Sequence, residues 1–215
     1  SSTKIEIVDY INIIQPDIVH IDEMSERLDR HLITALYDNN RKYRIIETPH
    51  DVIFNPDDKL FHPDLFLFCS VYHEETFANL ESKYHTIEYP IENRIPYFLQ
   101  KVHAKKTLGF KINKKHVINV GLWTPGKNQG EGLEIARQYP DMMFHFIGNQ
   151  AENFKYYWEP LMENVPNNVQ IWGERDDIET FMQAADVFMF NSINECSPIV
   201  LREAISFGLP IVARN

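Results

Sequence analysis

Strand-length apolar runs alternate with stretches of helical period along almost the whole of this 215-residue chain. His116–Val120 is apolar enough to be buried on both faces, and Lys127–Tyr139 after it has the period of an amphipathic helix. Parallel strands need such a crossover between them. The alternation therefore predicts an α/β fold class, with parallel sheets flanked by helices.

One stretch rich in proline and lysine interrupts this alternation. We place a linker with a short helix at residues 93–115, between a lobe at 1–92 and a second lobe at 116–215. The second lobe shows five strands with helical crossovers, and Gly208 fits the position just after its last helix. The linker lysines are interpreted as a solvated face, with phosphate binding as the alternative. They are Lys101, Lys105, Lys106, Lys111, Lys114 and Lys115.

Charge and cysteine content exclude several classes of protein. The net charge is -10, which argues against a general nucleic-acid or membrane-surface binder. The two cysteines, Cys69 and Cys196, lie far apart and form no Cys-x-x-Cys pair or zinc-ligand spacing, so we expect no structural zinc site. Two thiols and no signal peptide favour a cytoplasmic protein.

The loop from Gly121 to Asn128 nearly spells a phosphate-binding Walker A motif. The final position is Asn128, so the hydroxyl that would hold magnesium is missing. The remaining feature is a glycine-containing turn that brings backbone N–H groups and Lys127 to a helix N-terminus, where an anion is favoured. A surface lysine on a tight turn is the alternative.

Two glutamates, Glu195 and Glu203, are separated by seven residues. Between them, Ser197 is predicted to be the N-cap of a helix and Pro198 its first residue. The two carboxylates would then flank a helix N-terminus near Ile199, holding sugar hydroxyls while the helix amides hold phosphate. A single exposed charge at Glu203 is the alternative.

From Val117 onward the chain resembles the donor lobe of glycosyltransferase family 4, which has the GT-B architecture of two Rossmann-like lobes. That family has a glutamate, seven residues and Glu-Ala, followed by Gly-x-Pro-hydrophobic, and it has a lysine in its phosphate loop. The matching residues are Lys127, Ala185-Asp186-Val187-Phe188, Glu195, Glu203-Ala204 and Gly208-Leu209-Pro210-Ile211. The first half resembles the second part of the acceptor lobe through Pro16–His20, Thr48–Asp51 and Ser70.

The resemblance implies roles for particular residues. His50 would face the transferred sugar, with a loop or capping histidine as the alternative. Glu195 would bind sugar hydroxyls and Glu203 the ribose, and the backbone from Gly173 to Arg175 is a candidate contact for the base. His20, inside a strand, is expected to be a packed or hydrogen-bonded core histidine.

The implied reaction is retaining transfer of a hexose from a nucleoside-diphosphate sugar to a hydroxyl acceptor, which is a glycan, a lipid or a small molecule. No Asp-x-Asp motif occurs, so we expect a metal-independent reaction with no cofactor. A non-catalytic nucleotide-binding or scaffold module is one alternative, which turnover would exclude. A nucleotide-sugar epimerase is another, which product analysis without acceptor would reveal.

Two departures from the family pattern remain. The family usually has Gly-Arg in the phosphate loop, whereas Leu122 follows Gly121 here, and Arg175 or Arg94 is a candidate replacement. The resemblance also implies that both lobes are incomplete, lacking an early strand of one and the end of the other. Such sheets would expose edges, so self-association is a further expectation.

Overall fold

The computed structural model describes residues 2–23, 30–95 and 97–214. The chain divides into two compact units. The first holds Ser1–Tyr89 together with the short segment Glu195–Ser197. The second holds Pro90–Asn194 and Pro198–Asn215. Each unit is built on a parallel sheet, which agrees with the predicted fold class.

The first unit has a four-stranded sheet in which neighbouring strands along the chain are also neighbours in space. All three strand pairs are parallel. The strands are β1 (Ile18–Asp22), β2 (Arg44–Thr48), β3 (Leu65–Phe68) and β4 (Tyr84–Thr86), and the helices are α1 (Ser2–Ile14), α2 (Arg30–Leu36) and α3 (Val71–Thr76).

The core of the first unit explains why these stretches become strands and helices. The side chains of Ile45, Phe66 and Phe68 are fully buried in the two central strands. Helix α2 contributes Leu32, Ile33 and Leu36, and the spacing of Leu36 from the other two, four and three residues, places apolar side chains on one face of the helix. Apolar burial of this kind, rather than the intrinsic propensity of short helices, stabilises the unit.

His20 differs from the expectation for a core histidine. It lies in β1, which is an edge strand of the described sheet, and the residue is exposed. Its Nε2 is 2.8 Å from the hydroxyl of Thr48, so the hydrogen bond was predicted correctly but the burial was not. The reason is that one side of an edge strand has no neighbouring strand to cover it.

The second unit has a five-stranded parallel sheet with the spatial order β7-β6-β5-β8-β9. The order reverses on either side of β5, as in a doubly wound sheet. The strands are β5 (His116–Val120), β6 (Met143–Ile147), β7 (Val169–Ile171), β8 (Val187–Phe190) and β9 (Ile211–Ala213), and the helices are α4 (Phe98–Thr107), α5 (Gln129–Gln138), α6 (Lys155–Met162), α7 (Ile178–Ala184) and α8 (Ile199–Ser206).

An ion-pair cluster joins α4 to the start of β8. Asp186 accepts hydrogen bonds from Lys105 Nζ at 2.8 Å and from the backbone N–H of His116 at 3.0 Å, and Lys101 lies 3.1 Å from its other oxygen. Lys105 is only 6% exposed. These bonds hold the pKa of Asp186 below its usual range although burial alone would raise it. Lys105 therefore does not belong to a solvated face, because it is buried beside its partner.

Two local boundaries differ from the sequence pattern. Apolar spacing predicts a helix over Glu74–Tyr84, but α3 ends at Thr76 and Tyr84 begins β4. The helix also starts earlier than predicted, where Ser70 caps it by accepting from the N–H of His73. At the other site, α8 begins at Ile199, with Pro198 in an extended conformation at its N-cap position. Ser197 is thus one residue too early to cap this helix, and that prediction was wrong. Gly208 has φ +67° and follows Phe207, the C-cap residue of α8, which confirms the predicted position.

The longest helix of the described residues is α1, with 13 residues. A helix needs about 20 apolar residues to span a bilayer. Within the described part of the chain, no helix is long and apolar enough to do so.

Candidate functional site

Backbone hydrogen bonds join the loops at the carboxyl edge of the second unit's sheet. The loop after β6 is bonded to the loop after β7 through Gly148 N–H and the Gly173 carbonyl, 2.8 Å apart. It is also bonded to the loop after β5, since Trp123 N–H donates to the Asn149 carbonyl at 3.0 Å. The loop after β8 joins them through Ile193 N–H and the Gly126 carbonyl at 2.8 Å. Four successive loops thus form one connected rim where ligands bind in such sheets.

Glycine is required at one contact in this rim. Gly148 has φ +153°, and a Cβ atom there would lie 1.9 Å from the carbonyl oxygen of Gly121. That distance is far inside van der Waals contact, so only glycine lets the two loops approach. Gly173 also has a positive φ, +67°, but nothing lies within 4 Å of its Cβ position. The space beside Gly173 is open, as a ligand-contacting backbone requires.

The turn that carries Lys127 is closed by Thr124. The Thr124 carbonyl accepts from the N–H groups of Lys127 and Asn128, both at 3.1 Å, and the N–H of Gly130 donates to the Tyr157 hydroxyl at 3.0 Å. Several amides at the start of α5 therefore already have protein partners. The sequence predicted that amides of this turn would hold a phosphate. In the structure, those of Lys127 and Asn128 bond within the turn and hold the backbone of the lysine in place.

The stem of Lys127 packs against Gly121. A Cβ at Gly121 would lie 3.6 Å from Lys127 Cδ, so the small residue leaves room for the methylene chain at the end of β5. The side chain of Gln129 is completely buried, and its Nε2 donates to the Leu122 carbonyl at 2.9 Å, which holds the same loop in place. Gly121 and Lys127, each predicted from the sequence to contact the donor, therefore lie side by side.

The segment between the two glutamates contains a buried hydroxyl. Ser197 Oγ is buried, and it has no hydrogen-bond partner among the residues that the structure describes. Glu195 and Ile199 stand on either side of this position in the chain, and Pro198 offers no N–H at the start of α8. The first amides of α8 thus belong to Ile199 and the residue after it.

Glu203 lies one turn into α8 and lines a cavity of about 320 Å³ in the second unit. The cavity is also lined by Arg94 and Glu179, which form an ion pair with each other. The backbone N–H of Arg94 donates to the Ser206 carbonyl at 2.8 Å. The guanidinium of Arg94 is therefore already neutralised, which weakens it as a replacement for the missing phosphate-loop arginine.

Arg175 is also engaged within the protein. Its guanidinium makes two hydrogen bonds to the carboxylate of Asp177, at 2.8 and 2.9 Å, and lies over the rings of Trp172 and Phe181. These bonds lower the pKa of Asp177. A contact from Arg175 to a diphosphate would require this bidentate pair to break, so its backbone is the better candidate for binding.

In the first unit, His50 directly follows the strand β2 and Pro49. Its Nε2 is hydrogen-bonded to the carboxylate of Asp22, and its Nδ1 lies 3.0 Å from the hydroxyl of Tyr89. The backbone N–H of His50 donates to Glu23 at 2.6 Å. Two side-chain partners orient the ring, whose side chain is 36% exposed. An oriented, accessible imidazole fits a substrate contact better than a loop cap.

Sequence reasoning missed a cluster of two thiols and an imidazole in the first unit. The Sγ atoms of Cys69 and Cys196 lie 3.8 Å apart, and His73 is within 4.8 Å of both. Burial and the neighbouring Cys196 raise the pKa of Cys69 to about 12. Burial also lowers the pKa of His73. A clue in the sequence was the i, i+4 spacing of Cys69 and His73, but the third member lies more than 120 residues away.

Comparison with known proteins agrees with this architecture. The two parallel α/β units, with a connected loop rim on the second, define the GT-B class of glycosyltransferase fold. The chain belongs to the family of glycosyl transferases group 1, whose model matches residues 101–215, more than half of its length.

Several named relatives match about half of this chain. The chain is 32% identical over 119 residues to UDP-Gal:alpha-D-GlcNAc-diphosphoundecaprenol alpha-1,3-galactosyltransferase of Escherichia coli, covering 52% of this chain and 30% of that protein. It is 30% identical over 119 residues to the lipopolysaccharide glucosyltransferase WaaG of Escherichia coli K12, covering 53% of this chain and 31% of that protein. The matches thus span about a third of these relatives.

Solved structures share the fold over nearly the whole chain. Anabaena HepE in complex with UDP and glucose matches with a TM-score of 0.79 at 16% identity, covering 99% of this chain and 62% of that one. Sucrose-phosphate synthase from Thermosynechococcus elongatus matches with a TM-score of 0.78 at 17% identity, covering 99% and 60%. Because these sequence identities are low, the similarity shows a shared fold and nothing about function.

Proposed function

We propose that this chain is the donor-binding part of a retaining glycosyltransferase of family 4, which transfers a hexose from a nucleoside-diphosphate sugar to a hydroxyl acceptor. The observation that carries the proposal is the connected rim of four loops at the carboxyl edge of the β7-β6-β5-β8-β9 sheet, with Lys127 in the loop after β5. Family membership and the UDP complexes of HepE support a uridine nucleotide as donor.

Diphosphate recognition falls to Lys127 and to the amides at the start of α8, around Ile199. The N-terminus of a helix favours an anion, and a lysine ammonium adds a charge-assisted hydrogen bond. Glu203 accepts from the ribose hydroxyls, and the backbone from Gly173 to Arg175 contacts the base. The open space beside Gly173 supports that last assignment.

Glu195 binds the hydroxyls of the reacting sugar, and His50 faces that sugar. The transition state carries positive charge at the anomeric carbon and growing negative charge on the leaving diphosphate. Preorganised donors that stabilise this negative charge supply the largest share of catalysis. The leaving phosphate takes the proton of the acceptor hydroxyl, so the step requires no protein nucleophile.

Donor binding is proposed to need neither a metal nor a cofactor. Enzymes that hold a diphosphate through a cation require acidic ligands for it, and no Asp-x-Asp motif occurs in the sequence. A cytoplasmic location is proposed from the two free thiols. The names of relatives that act on a diphosphoundecaprenol-linked sugar and on diacylglycerol support a lipid-linked hydroxyl as acceptor.

The test is a calorimetric titration of the purified chain with UDP, UDP-glucose and UDP-galactose, with CDP and GDP for comparison. Binding of a uridine nucleotide, followed by release of UDP when a lipid-linked sugar acceptor is added, supports the proposal. Binding without turnover for any acceptor indicates a non-catalytic module. Interconversion of the two UDP-hexoses without acceptor indicates an epimerase, and no binding of any nucleotide refutes the assignment.

A further inference from the structure

The cluster of Cys69, His73 and Cys196 in the first unit lies outside the machinery proposed above. Cys69 directly follows β3, His73 lies in the first turn of α3, and Cys196 belongs to the segment Glu195–Ser197 of the same unit. Their side chains converge from stretches that are 123 residues apart. All three potential ligand atoms lie within 4.8 Å of one another.

Two of the three distances in this cluster match the edges of a metal-centred tetrahedron, and the third, between Cys69 and His73, is no longer than 4.8 Å. Two zinc–sulfur bonds of about 2.3 Å at a tetrahedral angle place their sulfurs about 3.8 Å apart. The Sγ atoms of Cys69 and Cys196 are separated by 3.8 Å. A zinc–sulfur and a zinc–nitrogen bond place sulfur and nitrogen about 3.5 Å apart. Nδ1 of His73 lies 3.5 Å from the sulfur of Cys196.

The orientation of His73 leaves one nitrogen suited to a metal. Its Nε2 is 3.1 Å from the carbonyl oxygen of Asp51, to which only a protonated nitrogen can donate. The lone pair of the neutral ring is therefore on Nδ1. Metal-binding histidines commonly donate their other N–H to a backbone carbonyl, which fixes the tautomer and the ring. Nε2 lies at a similar distance from Cys196, 3.6 Å, but this hydrogen bond engages it.

The surroundings of His73 are aromatic and exclude solvent from its side chain. Its ring is buried and packs against the rings of Phe54, Phe68 and Phe77. Around the sulfurs, the Pro49 carbonyl is 3.5 Å from Cys69 and the Ser70 hydroxyl is 3.2 Å from Cys196. Such a shell holds the ligands in place before a cation arrives, which reduces the entropy lost on binding.

We propose that Cys69, His73 and Cys196 form a binding site for a thiophilic divalent cation, with Zn²⁺ as the natural candidate. Two thiolates and one imidazole supply three ligands, and a water or another small oxygen donor completes the tetrahedron. Binding exchanges the two thiol protons for the cation and releases them to the buffer, with no change of oxidation state. The bound ion ties Cys196 to the β3–α3 turn within the first unit.

This proposal departs from the expectation that the chain has no structural zinc site. That expectation relied on short Cys-x-x-Cys spacings, whereas here the fold brings the third ligand from a distant segment. The site is separate from the proposed metal-independent donor binding, since its ligands are sulfur and nitrogen rather than the oxygens that suit a diphosphate-bound magnesium.

Cobalt absorption tests the site directly. The metal-free, reduced chain is titrated with Co²⁺, and thiolate-to-cobalt charge transfer in the near ultraviolet is recorded with the ligand-field bands of tetrahedral cobalt. We expect both signals at one equivalent and their loss on adding Zn²⁺. Cys69→Ser, Cys196→Ser and His73→Phe should each weaken binding by at least about tenfold, the lower bound for disturbing a metal site. His85→Gln, at an exposed position of β4, is the matched control.

A second measurement needs no variant, which keeps the test valid if a substitution prevents folding. Zn²⁺ should slow alkylation of the half-buried Cys196 in the wild-type chain by about tenfold or more, and a chelator should reverse this protection. Absence of the charge-transfer band, its persistence in both cysteine variants, or unchanged alkylation with zinc overturns the proposal. None of these readouts depends on nucleotide binding or sugar transfer.

Discussion

The indole N–H of Trp172 donates a hydrogen bond to Nδ1 of His145 at 3.1 Å, and this one bond sets the protonation of two buried histidines. Because Nδ1 of His145 accepts, its Nε2 carries the proton and donates to Nδ1 of His116 at 2.9 Å. Nε2 of His116 in turn donates to the Lys111 carbonyl at 2.9 Å. Phe110 stacks on both rings. Since each ring has one nitrogen that donates and one that accepts, both histidines are neutral in this arrangement.

The first prediction is an acid-sensitive stability of the second unit. Burial, followed by the neighbouring His116, lowers the pKa of His145 to about 3, and burial also lowers that of His116. The unfolded chain takes up these protons below its ordinary pKa of about 6.5, whereas the folded chain does not. Stability is therefore complete above that pH and is lost as the pH falls toward 3. The lowered pKa of His145 alone should reduce the free energy of unfolding by about 2 kcal/mol between pH 7.5 and pH 5.

Urea unfolding at a series of pH values measures this loss. His145→Leu should reduce the pH dependence, although it also lowers stability at pH 7.5 by leaving the Trp172 N–H without its acceptor. His103→Gln, on the exposed face of α4, should keep the wild-type slope. An unchanged slope in His145→Leu would show that other groups cause the acid sensitivity.

The second prediction concerns the contact between the loops after β5 and β6. Gly148→Ala should destabilise the protein by more than about 3 kcal/mol, since its Cβ would collide with the Gly121 carbonyl at 1.9 Å. Gly173→Ala is the matched control, with a positive φ but open space, and should cost only about 1 kcal/mol of backbone strain. Equal melting temperatures for the two variants would contradict this account of the rim.

The third prediction concerns the buried pair of Lys105 and Asp186. Asp186→Ala leaves the ammonium of Lys105 buried without its partner and should lower the free energy of unfolding by about 3–5 kcal/mol. Asp177→Ala removes the partly exposed partner of Arg175 and should cost at most about 1 kcal/mol. Chemical denaturation of both variants checks this. If Asp186→Ala costs no more than Asp177→Ala, the cluster does not stabilise the fold.

The fourth prediction separates the proposed roles of Lys127 and Glu203. Lys127→Ala should weaken UDP about tenfold or more, because a hydrogen bond to a charged group is worth about 1.5–3 kcal/mol. Glu203→Ala should weaken UDP but not its 2′,3′-dideoxy analogue, which lacks the ribose hydroxyls. Lys106→Ala, exposed on α4, is the control for loss of a positive charge. Unchanged calorimetric affinity in both site variants would identify these residues as ordinary surface charges.

The fifth prediction concerns metals in donor binding. Because the positive field is assigned to Lys127 and a helix N-terminus, UDP should bind the metal-free chain equally well in EDTA and in excess Mg²⁺ or Mn²⁺. Parallel calorimetric titrations in the two buffers measure this. A large loss of affinity in EDTA that Mg²⁺ restores would instead favour a phosphate loop of the Walker type.

The sequence by itself determined the fold class and the position of most strands. Runs such as Val187–Phe190 are apolar without alternation, which is typical of a parallel strand buried on both of its faces. It also determined the turn at Gly208, because a positive φ after a helix favours glycine. These features are local, so a single sequence carries them.

The tertiary structure alone decided which polar groups already have partners. Thr124 engages the amides of the Lys127 turn, and Asp177 engages Arg175, so two groups expected to meet a phosphate are bonded within the protein. It also decided that Cys196 approaches Cys69 and His73. Contacts between residues far apart in sequence depend on how the elements pack, and no spacing rule along one chain contains that information.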